Sequence, residues 1–224
     1  MIVDYLPGDS LMSVLREASP ARTSQLVKDV AALAADIHTA DLTTLAGAVE
    51  QPADWTSYID GCIDEWRALA EGQIEPAPLM HFVVEWLDTH RPPEVDLTLL
   101  HGDLQTPNII VGNDGRLSAI DWEFARVGDP REDLGWFAAI AAISPPDPIG
   151  GDLSALCAAY CEASGLDSSQ VNPLTVAYFS ILPFGPMVRQ FVSQVTDLVE
   201  GRNRSIKTAN LAYALTAMVE GWIA

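Results

Sequence analysis

Lysine is almost missing from this chain. Lys28 and Lys207 are the only two, and the other ten of its twelve basic residues are arginine, set against 31 acids. The formal net charge is −19, and no basic stretch could neutralise a phosphate backbone, which argues against a nucleic-acid partner. Cysteine is also scarce. Cys62, Cys157 and Cys161 make an odd count without a C-x-x-C pair. Cys157 and Cys161 share a helix face, but no His-rich segment joins them, so they read as free, reduced core thiols rather than metal ligands. Long apolar runs are absent: the longest, Leu134 to Ile143, is too short to span a bilayer. The opening Met1-Ile2-Val3-Asp4-Tyr5 has neither a basic region nor an apolar signal core. The expectation is a cytoplasmic protein with no membrane partner.

What is present is a large apolar fraction. Hydrophobic residues make up 49% of the 224, enough for a substantial core and against disorder despite the charge. The acidity keeps a surface solvated, and it also suits a cationic small-molecule partner.

Most of the chain has helical periodicity. Leu26, Val27, Val30, Leu33, Ala34 and Ile37 form one apolar face. Trp55, Tyr58, Ile59, Cys62, Ile63 and Trp66 form another, and Leu79, Phe82, Val83, Trp86 and Leu87 a third, closed by Pro92-Pro93. The period then shortens. Leu97–Leu100 and Asn108–Val111 read as strands, and Asn113-Asp114-Gly115 is a hairpin turn leading into a return strand, Leu117–Trp122. Helices resume after Pro130: Glu132–Ile143, Leu153–Ala163, Leu174–Leu198 (interrupted at Pro183 and Pro186) and Ile206–Ile223. The fold class expected is mainly α with a small β-hairpin, in one helix-rich domain.

The chemistry concentrates on that hairpin. His101-Gly102-Asp103-Leu104-Gln105-Thr106-Pro107-Asn108 fits the pattern H-x-D-L-x-x-x-N, and Asp121 follows on the return strand. Folding the hairpin brings Asp121 back towards Asn108. Phosphoryl transfer needs such a set, because its loose transition state is stabilised mainly by positioning and charge neutralisation. Magnesium takes hard oxygen ligands and keeps several waters, so one carboxylate and one amide oxygen suffice from the protein. Glu123 shares a strand face with Asp121, either beside the metal or solvated. Other uses for these residues are open: Asn108 can cap a turn, and Asp121 can pair with Arg126. A two-carboxylate hydrolase is a third option, less suited to the ordered D-x4-N-x12-D spacing.

Three stretches carry a resemblance: HGDLQTPNIIV, AIDWE, and Gly128-Asp129-Pro130-Arg131-Glu132-Asp133-Leu134. They resemble the aminoglycoside phosphotransferase and choline kinase superfamily, relatives of protein kinases. The resemblance implies ATP, or GTP, as phosphoryl donor, magnesium as cofactor, and a small-molecule hydroxyl as acceptor. It makes Asp103 the catalytic aspartate, Asn108 and Asp121 the metal ligands, His101 a structural loop residue, and Asp133 a buttress of the loop. The opening, Ile2 to Leu11, is similar to the family's inter-lobe hinge, with the backbone near Asp4 and Leu6 meeting the adenine. Ala31 to Asp41, including His38, resembles the helix that follows. Residues 1–10 would then be hinge-like and 11–224 a kinase-like C-terminal lobe, with the catalytic hairpin at about 97–123.

The family's Gly-rich loop and ATP-gripping lysine precede its hinge, and neither has a counterpart here. The N-terminal ATP lobe is therefore expected to be absent. That leaves a truncated enzyme, a silent remnant or binding module, or a lobe supplied by another chain. It also implies an exposed apolar patch at Ile2, Val3 and Leu6 that favours self-association. Trp55, Tyr58, Trp66, Tyr160 and Glu162 are candidate acceptor-lining residues, each equally at home in the core or on the surface. Aminoglycosides, choline-like amines, sugars and amino alcohols all stay open.

Overall fold

The computed structural model describes residues 6–45, 47, 49–72, 78–143, 149 and 152–185. Strand β1 (Gly8–Ser10) leads into helix α1 (Leu11–Glu17) and the long α2 (Pro20–His38). Helices α3 (Trp55–Glu71) and α4 (Pro78–Thr89) precede strand β2 (Thr98–Leu100). A 3-10 turn (Thr106–Asn108) opens strand β3 (Ile109–Gly112), followed by β4 (Leu117–Ala119) and β5 (Arg126–Gly128). Helices α5 (Arg131–Ile143), α6 (Leu153–Ser164) and α7 (Pro173–Phe179) complete the described chain, with a last 3-10 turn at Leu182–Phe184. No helix among the described residues is long and apolar enough to cross a membrane.

The helices start where the sequence offers caps. Ser19 accepts from the Arg22 amide with Pro20 at the first helical position, and Asp54 accepts from the Ser57 amide at 2.7 Å. Asn172 and Thr175 form a reciprocal capping box on α7.

The β-structure is two small antiparallel sheets. The expected hairpin of β3 and β4 gains a third strand, because β1 pairs with β3 in the register Gly8↔Gly112, Asp9↔Val111, Ser10↔Ile110. The segment read from sequence as hinge-like is thus partly a strand edge. Strand β2 pairs with β5, which frames the loop between Leu100 and Thr106. The return strand ends at Ala119, short of the expected Trp122, because Asp121 takes φ +68° and turns the chain out of the ladder. Of the expected Leu174–Leu198 helix, α7 accounts for the start; residues from 186 on, with Lys207 and the Ile206–Ile223 segment, lie outside the described residues.

Two apolar cores flank α5. One gathers Leu26, Val30 and Ala34 of α2 with Ile109, Leu134, Phe137 and Tyr160. The other gathers Trp55, Ile59 and Ile63 of α3 with Leu87, Tyr178, Phe179 and Phe184. Gly135 lets α5 approach α7 closely, since a Cβ there would overlap the Phe179 backbone. Helix α5 is therefore fixed on both sides, and its N-terminal turn lies under the loop that follows β2.

Candidate active site

The loop is held from below by one carboxylate. Asp133, buried in the first turn of α5, accepts the His101 amide on Oδ2 at 2.8 Å and the Gly102 amide on Oδ1 at 2.9 Å. His38 Nε2 lies 3.1 Å from the same Oδ2, and His38 Nδ1 meets the Tyr160 hydroxyl at 2.7 Å. Burial pushes the Asp133 carboxyl up, but His38 and the two amides more than offset it, and the group sits below its ordinary value. Three groups, the two loop amides and His38, thus converge on the Asp133 side chain.

His101 is fully buried. Its Nε2–H donates to the Ile120 carbonyl at 2.9 Å and its Nδ1 accepts the Asp103 amide at 3.3 Å, which sets the tautomer and ties the loop to the hairpin's return. The Trp122 ring packs on it at 4.7 Å. Gly102 has φ +80°, and a Cβ there would run into the Phe124 carbonyl. Together these contacts turn Asp103 away from the core.

Asp103 is half-buried and receives three donors. Oδ1 accepts Gln105 Nε2 at 2.6 Å and Trp136 Nε1 at 2.8 Å, while Oδ2 accepts Asn108 Nδ2 at 2.7 Å. Burial raises the Asp103 carboxyl above its ordinary value, and these three donors pull against that rise. The Asn108 amide nitrogen also donates to the Asp103 carbonyl at 3.0 Å, so Asn108 points its nitrogen at Asp103 and its Oδ1 has no donor among the described residues.

The Ile120 amide donates to the Asn108 carbonyl at 2.9 Å, continuing the β3–β4 register by one pair. Asp121 is the next residue, so the backbone delivers it beside Asn108. It is exposed, and its carboxylate has no hydrogen bond or ion pair among the described residues. The alternative pairing of Asp121 with Arg126 is not what the structure shows: Arg126 donates to Glu132 Oε2 at 2.7 Å and to the Phe124 carbonyl at 3.3 Å. Glu123 is exposed and unpaired among the described residues. The described residues contain no cluster of three or more His, Cys, Asp or Glu placed to hold a metal. A set of one amide oxygen and one carboxylate is smaller than that, and it matches what magnesium takes from a protein.

The acids of the G-D-P-R-E-D stretch divide the work. Asp129 and Arg131 are both fully buried and joined by two side-chain bonds of 2.6 and 2.8 Å; Trp55 Nε1 donates to the same aspartate at 2.7 Å. Glu132 accepts the Tyr58 hydroxyl at 2.5 Å as well as Arg126. Trp66 donates to the Leu182 carbonyl at 3.0 Å. Trp55, Tyr58, Trp66 and Tyr160 are therefore spent on internal bonds, and Glu162 is exposed on α6; the structure brings none of these five into hydrogen-bond contact with Asp103. Of the hinge residues, Leu6 is 45% exposed. Asp4, Ile2 and Val3 lie outside the described residues. Sequence reasoning missed Gln105 and Trp136 as partners of Asp103. Both were within reach: Gln105 belongs to the loop, and Trp136 is one helical turn beyond Asp133.

The profile of the phosphotransferase enzyme family matches residues 1–170. The chain belongs to this phosphotransferase family. Acyl-CoA dehydrogenase family member 10 of Mus musculus is 25% identical over 139 residues, which cover 60% of this chain but 13% of the mouse protein. A Ralstonia eutropha protein assigned to the aminoglycoside phosphotransferases superposes with a TM-score of 0.68 at 21% identity, covering 99% of this chain and 70% of that one. Choline kinase LicA from Streptococcus pneumoniae, also solved in complex with AMP, superposes with a TM-score of 0.53 at 18% identity, covering 95% of this chain and 66% of LicA. The chain therefore shares the kinase-like fold of these two solved structures and spans only part of the length of all three proteins.

Proposed function

We propose that this phosphotransferase chain carries the catalytic and metal-holding face of an ATP- and magnesium-dependent kinase of a small-molecule hydroxyl. The observation that carries the reading is Asp103, a half-buried carboxylate held by Asn108, Gln105 and Trp136, with the unpaired Asp121 delivered next to Asn108.

Asp103 accepts the hydrogen bond of the acceptor hydroxyl and aims its oxygen in line with the phosphoryl group. Its two oxygens are oriented by fixed donors, so little reorganisation accompanies the reaction. Proton transfer to Asp103 comes late, which makes orientation weigh more than basicity. Asn108 Oδ1 and the Asp121 carboxylate would hold the metal, which when bound neutralises charge on the nucleotide's phosphates. The Arg126–Glu132 pair takes up the guanidinium that would otherwise be open to Asp121. The segment around Asp4 and Leu6 would meet the adenine, and an ATP lobe, of this polypeptide or of another, would grip the phosphates from above. The net charge of −19 supports a cationic acceptor. The exposed Leu6 supports contact with that lobe or with a second copy of the chain.

The test is ADP release across a panel of aminoglycosides, amino alcohols, choline-like amines and sugars, with and without magnesium. The protein assayed is the natural polypeptide that contains this sequence. Asp103→Asn is expected to abolish magnesium-dependent turnover while leaving ligand binding in place. Turnover that survives this substitution would sink the assignment.

A further inference from the structure

The donors on Asp103 are unevenly shared. An ionised carboxylate offers about four lone-pair positions, two on each oxygen. Oδ1 has both taken, by Gln105 at 2.6 Å and Trp136 at 2.8 Å. Oδ2 has one taken, by Asn108 at 2.7 Å. Among the described residues, a hydroxyl approaching Asp103 therefore finds its open acceptor position on Oδ2.

We propose that Trp136 is a positioning residue for the phosphotransfer: its indole N–H, with the Gln105 amide, occupies Oδ1 so that the acceptor hydroxyl is taken by Oδ2. The inference rests on the reading of Asp103 given above. Three observations carry it. The indole nitrogen donates and cannot accept, whereas the Gln105 amide can turn over, so only Trp136 makes Oδ1 an obligatory acceptor. The indole is itself fixed, stacked on the buried Phe184 at 5.1 Å and 22° between planes. And Trp136 lies one turn from Asp133 on α5, so a single rigid helix grips the loop twice: Asp133 holds the backbone of His101 and Gly102, and Trp136 holds the side chain of Asp103. Without the indole, the plane of the carboxylate is less fixed and a second acceptor position, on Oδ1, opens to the hydroxyl or to water. The loop backbone, held by Asp133, would stay where it is.

Two measurements test this on the full chain. In the proton–nitrogen spectrum of the six tryptophan indoles, the resonance absent from Trp136→Phe is that of Trp136. Asp103→Ala should move that resonance and speed its solvent exchange while leaving the Trp55 and Trp66 indoles unchanged; an unmoved Trp136 signal overturns the inference without any turnover being needed. In kinetics, Trp136→Phe keeps the stack on Phe184 and removes the donor. The expectation is kcat lowered about 10- to 100-fold, the effect of losing one hydrogen bond to a charged group, with nucleotide KM and melting temperature close to wild type. A benzothienyl side chain at 136, which has the indole's shape without its N–H, should reproduce the loss, and 5-fluorotryptophan should restore the rate. Full kcat in Trp136→Phe, where Asp103→Asn is dead, overturns the role of Trp136 and leaves that of Asp103 intact. Turnover unaffected by Asp103→Asn, or no turnover with any acceptor, sinks the underlying reading and this inference with it.

Discussion

His38 Nε2 lies 3.1 Å from Asp133 Oδ2, and the same carboxylate accepts the backbone amides of His101 and Gly102. A helix end far upstream in sequence and the loop that carries Asp103 thus share one buried anion. Asp133→Asn keeps the shape but turns one oxygen into an N–H2, placed against groups that donate. The expected cost is about 3–5 kcal/mol, since the two buried amides and His38 lose hydrogen bonds to a charged group, each worth about 1.5–3 kcal/mol. Urea unfolding of the variant beside wild type measures it, and a loss below about 1 kcal/mol would show that the loop has another support.

The same carboxylate makes a pH prediction. Asp133 sits below its ordinary value of 3.8 in the folded chain, because His38 and the amides favour its ionised form despite burial. A folded-state value below the unfolded one means that the unfolded chain binds more protons in between, so stability rises with pH there. The contribution is fully present above about pH 3.8 and is lost as pH falls through the lower, folded-state value. In Asp133→Asn that part of the acid-side slope should vanish. Unfolding free energy measured from neutral pH down into the acid range, for both proteins, checks it.

Asp121 is the one described residue other than glycine with positive φ, at +68°. Left-handed backbone costs an L side chain about 1–2 kcal/mol, somewhat less for Asp, and the metal-holding role proposed for this carboxylate would justify that cost. Asp121→Gly should therefore leave stability unchanged or raise it by about 1 kcal/mol while abolishing magnesium-dependent turnover. A destabilised Gly variant would mean that the carboxylate has a structural partner.

Gly102→Ala should do the reverse. The position has φ +80°, and the added methyl meets the Phe124 carbonyl and the Arg126 guanidinium. Because the clash is partly with backbone, the loop must shift, at a cost of about 1–3 kcal/mol. Asp103 moves with it, so turnover should fall by more than the stability loss accounts for. Thermal melting and kcat measured on one preparation separate the two effects.

Much of this was readable in the chain. The helix faces of α2 and α3 follow from apolar periodicity, and the N-D-G turn fixes the β3–β4 hairpin; on the expected face of α4, Leu87 is buried but Leu79 and Phe82 are exposed. The spacing of Asp103, Asn108 and Asp121 then follows from the hairpin's register. What sequence alone could not give were contacts made across long separations. The pairing of β1 with β3 joins residues about a hundred apart and leaves no local period. The contact of His38 with Tyr160 depends on how helices pack rather than on spacing. The sign of φ at Asp121 is likewise set by tertiary context, since Asp fits both regions.

Asp129 and Arg131 provide the last test, because they separate fold from chemistry. Both are fully buried, and the arginine spreads its donors over Asp129, the Gln170 carbonyl at 3.0 Å and the Pro93 carbonyl at 2.9 Å, with Phe179 under its plane at 4.7 Å. Lysine cannot reproduce that fork, so Arg131→Lys should also be damaging. Arg131→Met removes the charge and leaves Asp129 buried with Trp55 and the residue 131 amide as its remaining donors, for an expected loss of about 3–5 kcal/mol. Asp129→Asn combined with Arg131→Met removes both charges and should recover part of that loss, since much of the penalty is the lone carboxylate. None of these side chains bonds to Asp103, Asn108 or Asp121, so variant protein that remains folded at low temperature should keep its kcat. A double variant no more stable than Arg131→Met alone would show that the cost lies in the carbonyl and aromatic contacts of the arginine, not in the unpaired aspartate.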